Sequence, residues 1–197
     1  MKLIFWSYND PELHEAWTKH LSKFDFVEIK QGDILSEPVD IVVSPANSFG
    51  FMDGGIDLHY KKHFGEDLEY RVKREIYNYW DGELRVGQSC SVPTMNKEIP
   101  WIMIVPTMRT PTILTPSSPN IYYAAQQIIK SARDGKSIAV PGLGTGVGKM
   151  PADICAQHVK IAIERELSEE TWYPTCFTDA KLPGDERRTM HDFLPLF

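Results

Sequence analysis

The chain has 197 residues, 42% hydrophobic and 24% charged, an ordinary globular composition with room for one substantial core, so a single domain over residues 1–197 is expected. A net charge of −6 excludes a general nucleic-acid binder, which needs a basic face to neutralise phosphates. Three scattered cysteines (Cys90, Cys155, Cys176) exclude a disulfide framework or a paired-cysteine metal site, and no apolar run is long enough to span a membrane.

The opening MKLIFWSYND is too short for a signal sequence and reads as a strand over 2–8, so a soluble, monomeric protein of the cytoplasm is expected. Asp10 can cap a helix that has Pro11 at its first position, Glu12 in its first turn, and Leu13, Trp17, Leu21 and Phe24 at helical spacing. Residues 26–30 alternate as a half-buried strand does, and Gly32-Asp33-Ile34 ends it. Residues 41–44 are apolar on both faces, which predicts a central strand. Helices follow over 56–64 and 66–80, the second with Leu68, Val72, Ile76 and Tyr79 inward. Strands are predicted over 89–93 and 101–105. Pro106, Pro111, Pro116 and Pro119 then rule out helix and strand and predict a long loop over 106–120, a length that in compact domains is often functional. A helix over 121–133, a strand over 137–140 and a helix over 152–167, with Ile154, Val159, Ala162 and Ile163 on one side, complete the pattern. Residues 172–177 suggest an edge strand, and the apolar end 193–197 is expected to dock on the body. Strands alternating with helices imply an α/β sheet covered on both faces.

Two glycine-rich stretches, SPANSFGFMDGGID (44–57) and PGLGTGVGKMP (141–151), each follow a strand and precede a helix. An α/β sheet binds ligands beyond the carboxyl ends of its strands, so the two stretches should flank one crevice and offer helix-start N–H groups to an anion. Neither is a common nucleotide motif. GLGTGVGKM has Met150 where a P-loop needs Ser or Thr and Leu143 where it needs its leading glycine, and a dinucleotide fingerprint begun at Gly142 fails at Val147.

Taken in order, Gly32-Asp33-Ile34, the run Val39 to Asn47, Gly54-Gly55-Ile56-Asp57, and Ala139-Val140-Pro141 through Thr145-Gly146-Val147 to Pro151 resemble the macro domain family over about residues 26–167. The strand and helix before residue 26 and the tail after 167 then read as extensions. The resemblance implies a three-layer α/β/α sandwich with a central mixed sheet, and ADP-ribose or an ADP-ribosylated macromolecule as the binding partner, with no cofactor and no metal. It implies that Asp33 accepts the adenine amine with Ile34 packed nearby, and that Asn47 holds the distal ribose hydroxyls. Gly54, Gly55 and Ile56 would bring backbone close to the diphosphate, and Gly144, Thr145, Gly146, Val147 and Gly148 would close over it from the other side. Asp57 stands ten positions after Asn47, the spacing of the family's MacroD-type hydrolases. There it would orient or deprotonate a water attacking the anomeric carbon of the distal ribose, a task suited to a carboxylate with a pKa near neutrality.

Two departures stand out. Family hydrolases usually carry three or four glycines before the aspartate, whereas Met52-Asp53 precede Gly54-Gly55 here. Gly148 occupies the position of an aromatic residue near the distal ribose, and Met150 that of a common phenylalanine. Both changes should open the distal pocket, with Met108 and Arg109 of the proline-rich loop as candidates for a replacement wall. Three functions therefore stay open: hydrolysis of an ADP-ribosyl linkage, reading of ADP-ribose without cleavage, and phosphatase action on ADP-ribose 1″-phosphate. His59 and His63 have zinc-compatible spacing but no third ligand and read as a helix face. Cys90, Cys155 and the aromatic set Phe5, Trp6, Trp17 and Phe24 read as core.

Overall fold

The fold is described from a computed structural model, which covers residues 1–168, 174 and 180–184. The expected strand over 172–177, the terminal apolar run 193–197 and Cys176 lie outside the described residues.

The elements run β1 (Lys2–Ser7), α1 (Pro11–Leu21), β2 (Val27–Gln31), β3 (Ile41–Ser44), α2 (Gly55–Phe64), α3 (Asp67–Tyr79), β4 (Cys90–Pro93), β5 (Trp101–Ile104), α4 (Asn120–Ala132), β6 (Ser137–Val140) and α5 (Ala152–Leu167). Among the described residues one six-stranded sheet has the order β2-β1-β6-β3-β5-β4. All neighbours are parallel except β4 and β5, so the sheet is mixed. The N-terminal strand is no appendage. β1 lies between β2 and β6, in register Leu3–Val27 on one side and Leu3–Ile138 on the other.

Strand alternation sorts the core into two layers. Leu3, Phe5, Val43 and Val140 face α1, α4 and α5, where Trp17, Ile128 and Val159 complete a cluster. Ile4, Trp6, Val42 and Ala139 face α2 and α3, where Tyr60, Val72 and Ile76 pack. The result is the α/β/α sandwich. β3, apolar on both faces, is fully buried between β6 and β5.

Local signals act as the sequence implies at α1: Asp10 accepts a hydrogen bond from the Leu13 amide at 2.9 Å, and Pro11 stands in the first turn. One expectation fails. Tyr79 is 73% exposed, because the next helical step after Ile76 falls on Trp80, which packs against the α2–α3 cluster instead. On α5 the buried stripe is Cys155, Ala156, His158, Val159, Ala162 and Ile163, and Ile154, half-buried, packs against the same cluster. No described helix is long and apolar enough to cross a membrane.

Candidate functional site

Five of the six strands end on the same edge of the sheet, and the segments leaving them surround one cleft of about 700 Å³. Trp6, Tyr8 and Asp10 come from β1 and its exit, Gly32–Ile34 follow β2, Pro45–Asp57 follow β3, Thr107, Met108 and Pro111 follow β5, and Pro141–Gly148 follow β6. This is where a parallel sheet leaves room for a ligand, since neighbouring crossovers turn to opposite faces. Asp33, Ile34, Asn47, Gly54, Gly55, Ile56, Asp57, Gly144, Thr145, Gly146, Val147 and Gly148 all line it.

The first glycine loop is shaped by Asn47. Its side-chain amide donates to the Phe51 carbonyl at 2.8 Å, and its Oδ1 accepts from the Phe49 and Phe51 amides at 3.1 and 3.3 Å. Asn47 is 7% exposed and thereby builds the turn that carries Phe51 to the rim of the cleft. Phe51 is half exposed, with the Lys73 ammonium 4.2 Å from its ring centroid. The loop then enters α2 at Gly54, where no side chain caps the helix and the first-turn N–H groups are open to an anion. Gly55 needs its lack of a side chain, because its φ is +56°.

Asp57 lies in the first turn of α2, half-buried at the cleft. Its Oδ1 accepts a hydrogen bond from the Ser44 hydroxyl at 2.6 Å. Burial pushes its pKa up to about 6, against the pull of the Ser44 bond. Tyr60, one turn further, donates from its hydroxyl to the Val43 carbonyl at 3.0 Å. Burial, with Asp57 and Asp33 nearby, holds the Tyr60 phenol well above 10, so it stays neutral.

At the opposite end, Asp33 Oδ1 accepts from the Leu35 amide at 3.0 Å and lies 3.0 Å from His59 Nε2. Burial raises its pKa, but the Leu35 and His59 bonds outweigh that and leave the carboxylate below its ordinary value. His59 therefore lines the cleft as a partner of Asp33. His63 stacks edge-on against Phe64, and no cluster among the described residues could hold a metal.

The second glycine loop is closed where the sequence suggests it is open. A side chain at Gly148 would overlap the Gly144 carbonyl oxygen, with Leu114 Cδ1 and Met108 Cε each 3.1 Å away. Residues 108 and 114 of the proline-rich loop already fill the space into which a side chain at Gly148 would project. That loop is hydrogen-bonded to both glycine loops, Arg109 O accepting from Ser48 N at 3.1 Å and Leu114 N donating to Gly148 O at 2.7 Å. Met108 therefore supplies a wall, whereas Arg109 turns away to pair with Glu83 and stack over Phe49. Met150 is buried in the α1–α4–α5 core and does not line the cleft, so its exchange opens nothing there.

Ser44 and Phe51 were not among the expected site residues. Strand alternation alone puts Ser44 on the α2 side together with Val42, so its approach to Asp57 was latent in the spacing.

The family model described as Macro domain matches residues 43–159, more than half of the chain. The chain belongs to the macro domain family. Among macro domains of known structure, that of Mycobacterium tuberculosis DarG superposes with a TM-score of 0.59 at 23% identity, covering 68% of this chain and 88% of that one. A mutant of the Oceanobacillus iheyensis macrodomain, solved with ADPR, gives 0.57 at 20% identity over 68% of this chain and 76% of that one. At these identities the structural likenesses establish the shared fold. In sequence, an uncharacterized protein of Aquifex aeolicus is 28% identical over 134 residues, 66% of this chain and 76% of that protein.

Proposed function

We propose that the protein binds ADP-ribose in this cleft and hydrolyses an ADP-ribosyl linkage on a modified protein or nucleic acid. The observation that carries the reading is Asp57: a carboxylate at the cleft, with no charged partner among the described residues and a pKa raised by burial to about 6. Such a group takes a proton from water far better near neutral pH than an ordinary carboxylate does. In the proposed step a water oxygen bonds to the anomeric carbon of the distal ribose while the bond to the attached group breaks. Asp57 takes the proton from the water, and the departing group recovers it. The oxocarbenium character of such a transition state is favoured by the neighbouring negative diphosphate.

The other roles follow from the same placement. Asp33 accepts the adenine amine through Oδ2, and Ile34 packs beside the base. The uncapped start of α2, with Gly54, Gly55 and Ile56, faces the diphosphate from one side, and Gly144 to Gly148 face it from the other. Asn47 gives one amide hydrogen to Phe51, which leaves its second for a ribose hydroxyl.

A second reading, an ADP-ribose reader without turnover, is favoured by the Asn47 side chain being engaged within its own turn. Calorimetric titration with ADP-ribose beside AMP and NAD tests the shared premise, and no binding of ADP-ribose defeats both readings. Asp57→Asn should abolish release of ADP-ribose from a modified protein while sparing ADP-ribose binding. Wild-type turnover by that variant refutes the hydrolase assignment. Binding with no release from ester- or glycoside-linked substrates supports the reader, and phosphate release from ADP-ribose 1″-phosphate marks a phosphatase.

A further inference from the structure

Ser44 is the last residue of β3 and is 1% exposed. Its hydroxyl donates to Asp57 Oδ1 at 2.6 Å, the length of a charge-assisted bond to a carboxylate. Asp57 Oδ2 accepts no hydrogen bond from the described residues. The adjacent Val43 carbonyl receives the Tyr60 hydroxyl, so two hydrogen bonds fasten the first turns of α2 to the end of β3.

We propose that Ser44 is a positioning residue for Asp57: its hydroxyl holds one carboxylate oxygen and leaves the other directed to the water that attacks. The inference rests on the hydrolase reading, since it gives Ser44 a role only if Asp57 works on water. A serine suits the place for two reasons. Its short side chain reaches Asp57 from the buried end of β3, behind the residues that line the cleft, and its single donor leaves Asp57 able to ionise while fixing its rotation. Burial alone would carry the carboxylate higher than it stands, and the Ser44 bond holds it down.

Among the described residues, this is the hydrogen bond that the Asp57 carboxylate receives. Tyr60, on the same helix, is bonded to Val43 and neutral. Asp33 and His59 pair with each other further along the cleft, and Asp10 and Asp53 line it from the exit of β1 and from the first loop. None of them acts on the Asp57 carboxylate strongly enough to rank beside burial and Ser44.

The test is a carbon-detected NMR titration of protein labelled at the aspartate carboxyls, with Asp57 assigned by its loss in Asp57→Asn. The wild-type midpoint falls near 6. Ser44→Ala moves it up by about one pH unit, the worth of one hydrogen bond to a charged group, and Ser44→Thr restores it. The acid limb of ADP-ribose release from a protein carrying ester-linked ADP-ribose moves with it. At pH 6 the ionised fraction drops from about one half to about one tenth, so release slows about five-fold while ADP-ribose affinity is unchanged. The same shift is read in a His59→Gln background, which removes the histidine that lines the cleft on α2. An unmoved midpoint in Ser44→Ala, beside an inactive Asp57→Asn, overturns the inference alone. Full turnover by Asp57→Asn overturns the hydrolase reading and the inference with it. If Ser44→Ala does not fold, Ser44→Cys, a weaker donor, gives the same upward shift at smaller size.

Discussion

Gly146 and Gly148 stand two residues apart in one loop, and an added methyl group should separate them sharply. At Gly146 a Cβ meets nothing within 4 Å, whereas at Gly148 it overlaps the Gly144 carbonyl oxygen and crowds Leu114 and Met108 at 3.1 Å. The two side-chain ends can yield by a few tenths of an ångström. The carbonyl cannot, because it is backbone and is held by the Met150 amide at 3.1 Å, while Gly148 O is itself held by Leu114 N at 2.7 Å. Relief therefore requires the whole loop to move against the proline-rich segment. Overpacking of this kind costs about 1–3 kcal/mol. For a chain of this size each kcal/mol lowers Tm by about 2–4 °C, so a cost near 2 kcal/mol gives a loss of roughly 4–8 °C in Gly148→Ala. Gly146→Ala should stay within about 0.5 kcal/mol, or less than about 2 °C. Differential scanning calorimetry of both variants without ligand measures the contrast. Equal losses in the two variants, or no loss in Gly148→Ala, would refute the claim that residues 108 and 114 fill the space beside Gly148.

Ionised Asp57 should destabilise the folded protein. Its folded value of about 6 lies above the ordinary 3.8, so the folded state holds its proton more tightly. The cost is absent below about pH 4, grows as pH rises through 6, and is complete above about pH 7. The full shift corresponds to about 3 kcal/mol, reduced to about 1–2 kcal/mol because Asp57 keeps contact with solvent in the cleft. Asp57→Asn should therefore raise Tm at pH 8 and lose that advantage at pH 4; a difference that does not change with pH would contradict the burial of this carboxylate. Gly54→Ser tests the first loop. Gly54 has extended backbone (φ −158°) and open space around its Cβ, and serine is a preferred helix cap, so Tm should hold or rise slightly. If the diphosphate sits against this loop, the same change weakens ADP-ribose binding about ten-fold or more, which calorimetry reads directly; an unchanged Kd would place the diphosphate elsewhere.

The sequence alone determined the elements and the edge of the sheet from which ligand loops leave. Period-2 and period-3.6 patterns, the Asp10-Pro11 start and the prolines of 106–120 are local signals, and local chain chemistry decides them. The two glycine stretches were legible for the same reason: each sits between a strand and a helix. Tertiary structure decided what those stretches face. That Asn47 bonds within its own turn, that Met108 and Leu114 fill the space beside Gly148, and that Ser44 reaches Asp57 are contacts across 4 to 40 residues. Periodicity gives at most a side, as it puts Ser44 on the α2 face of β3; the contacts themselves depend on how the loops and helices fold back over the sheet. The same holds for Asp57 itself. Its spacing from Asn47 is written in the chain, but its pKa of about 6 comes from burial, which exists only once α2 is packed against β3.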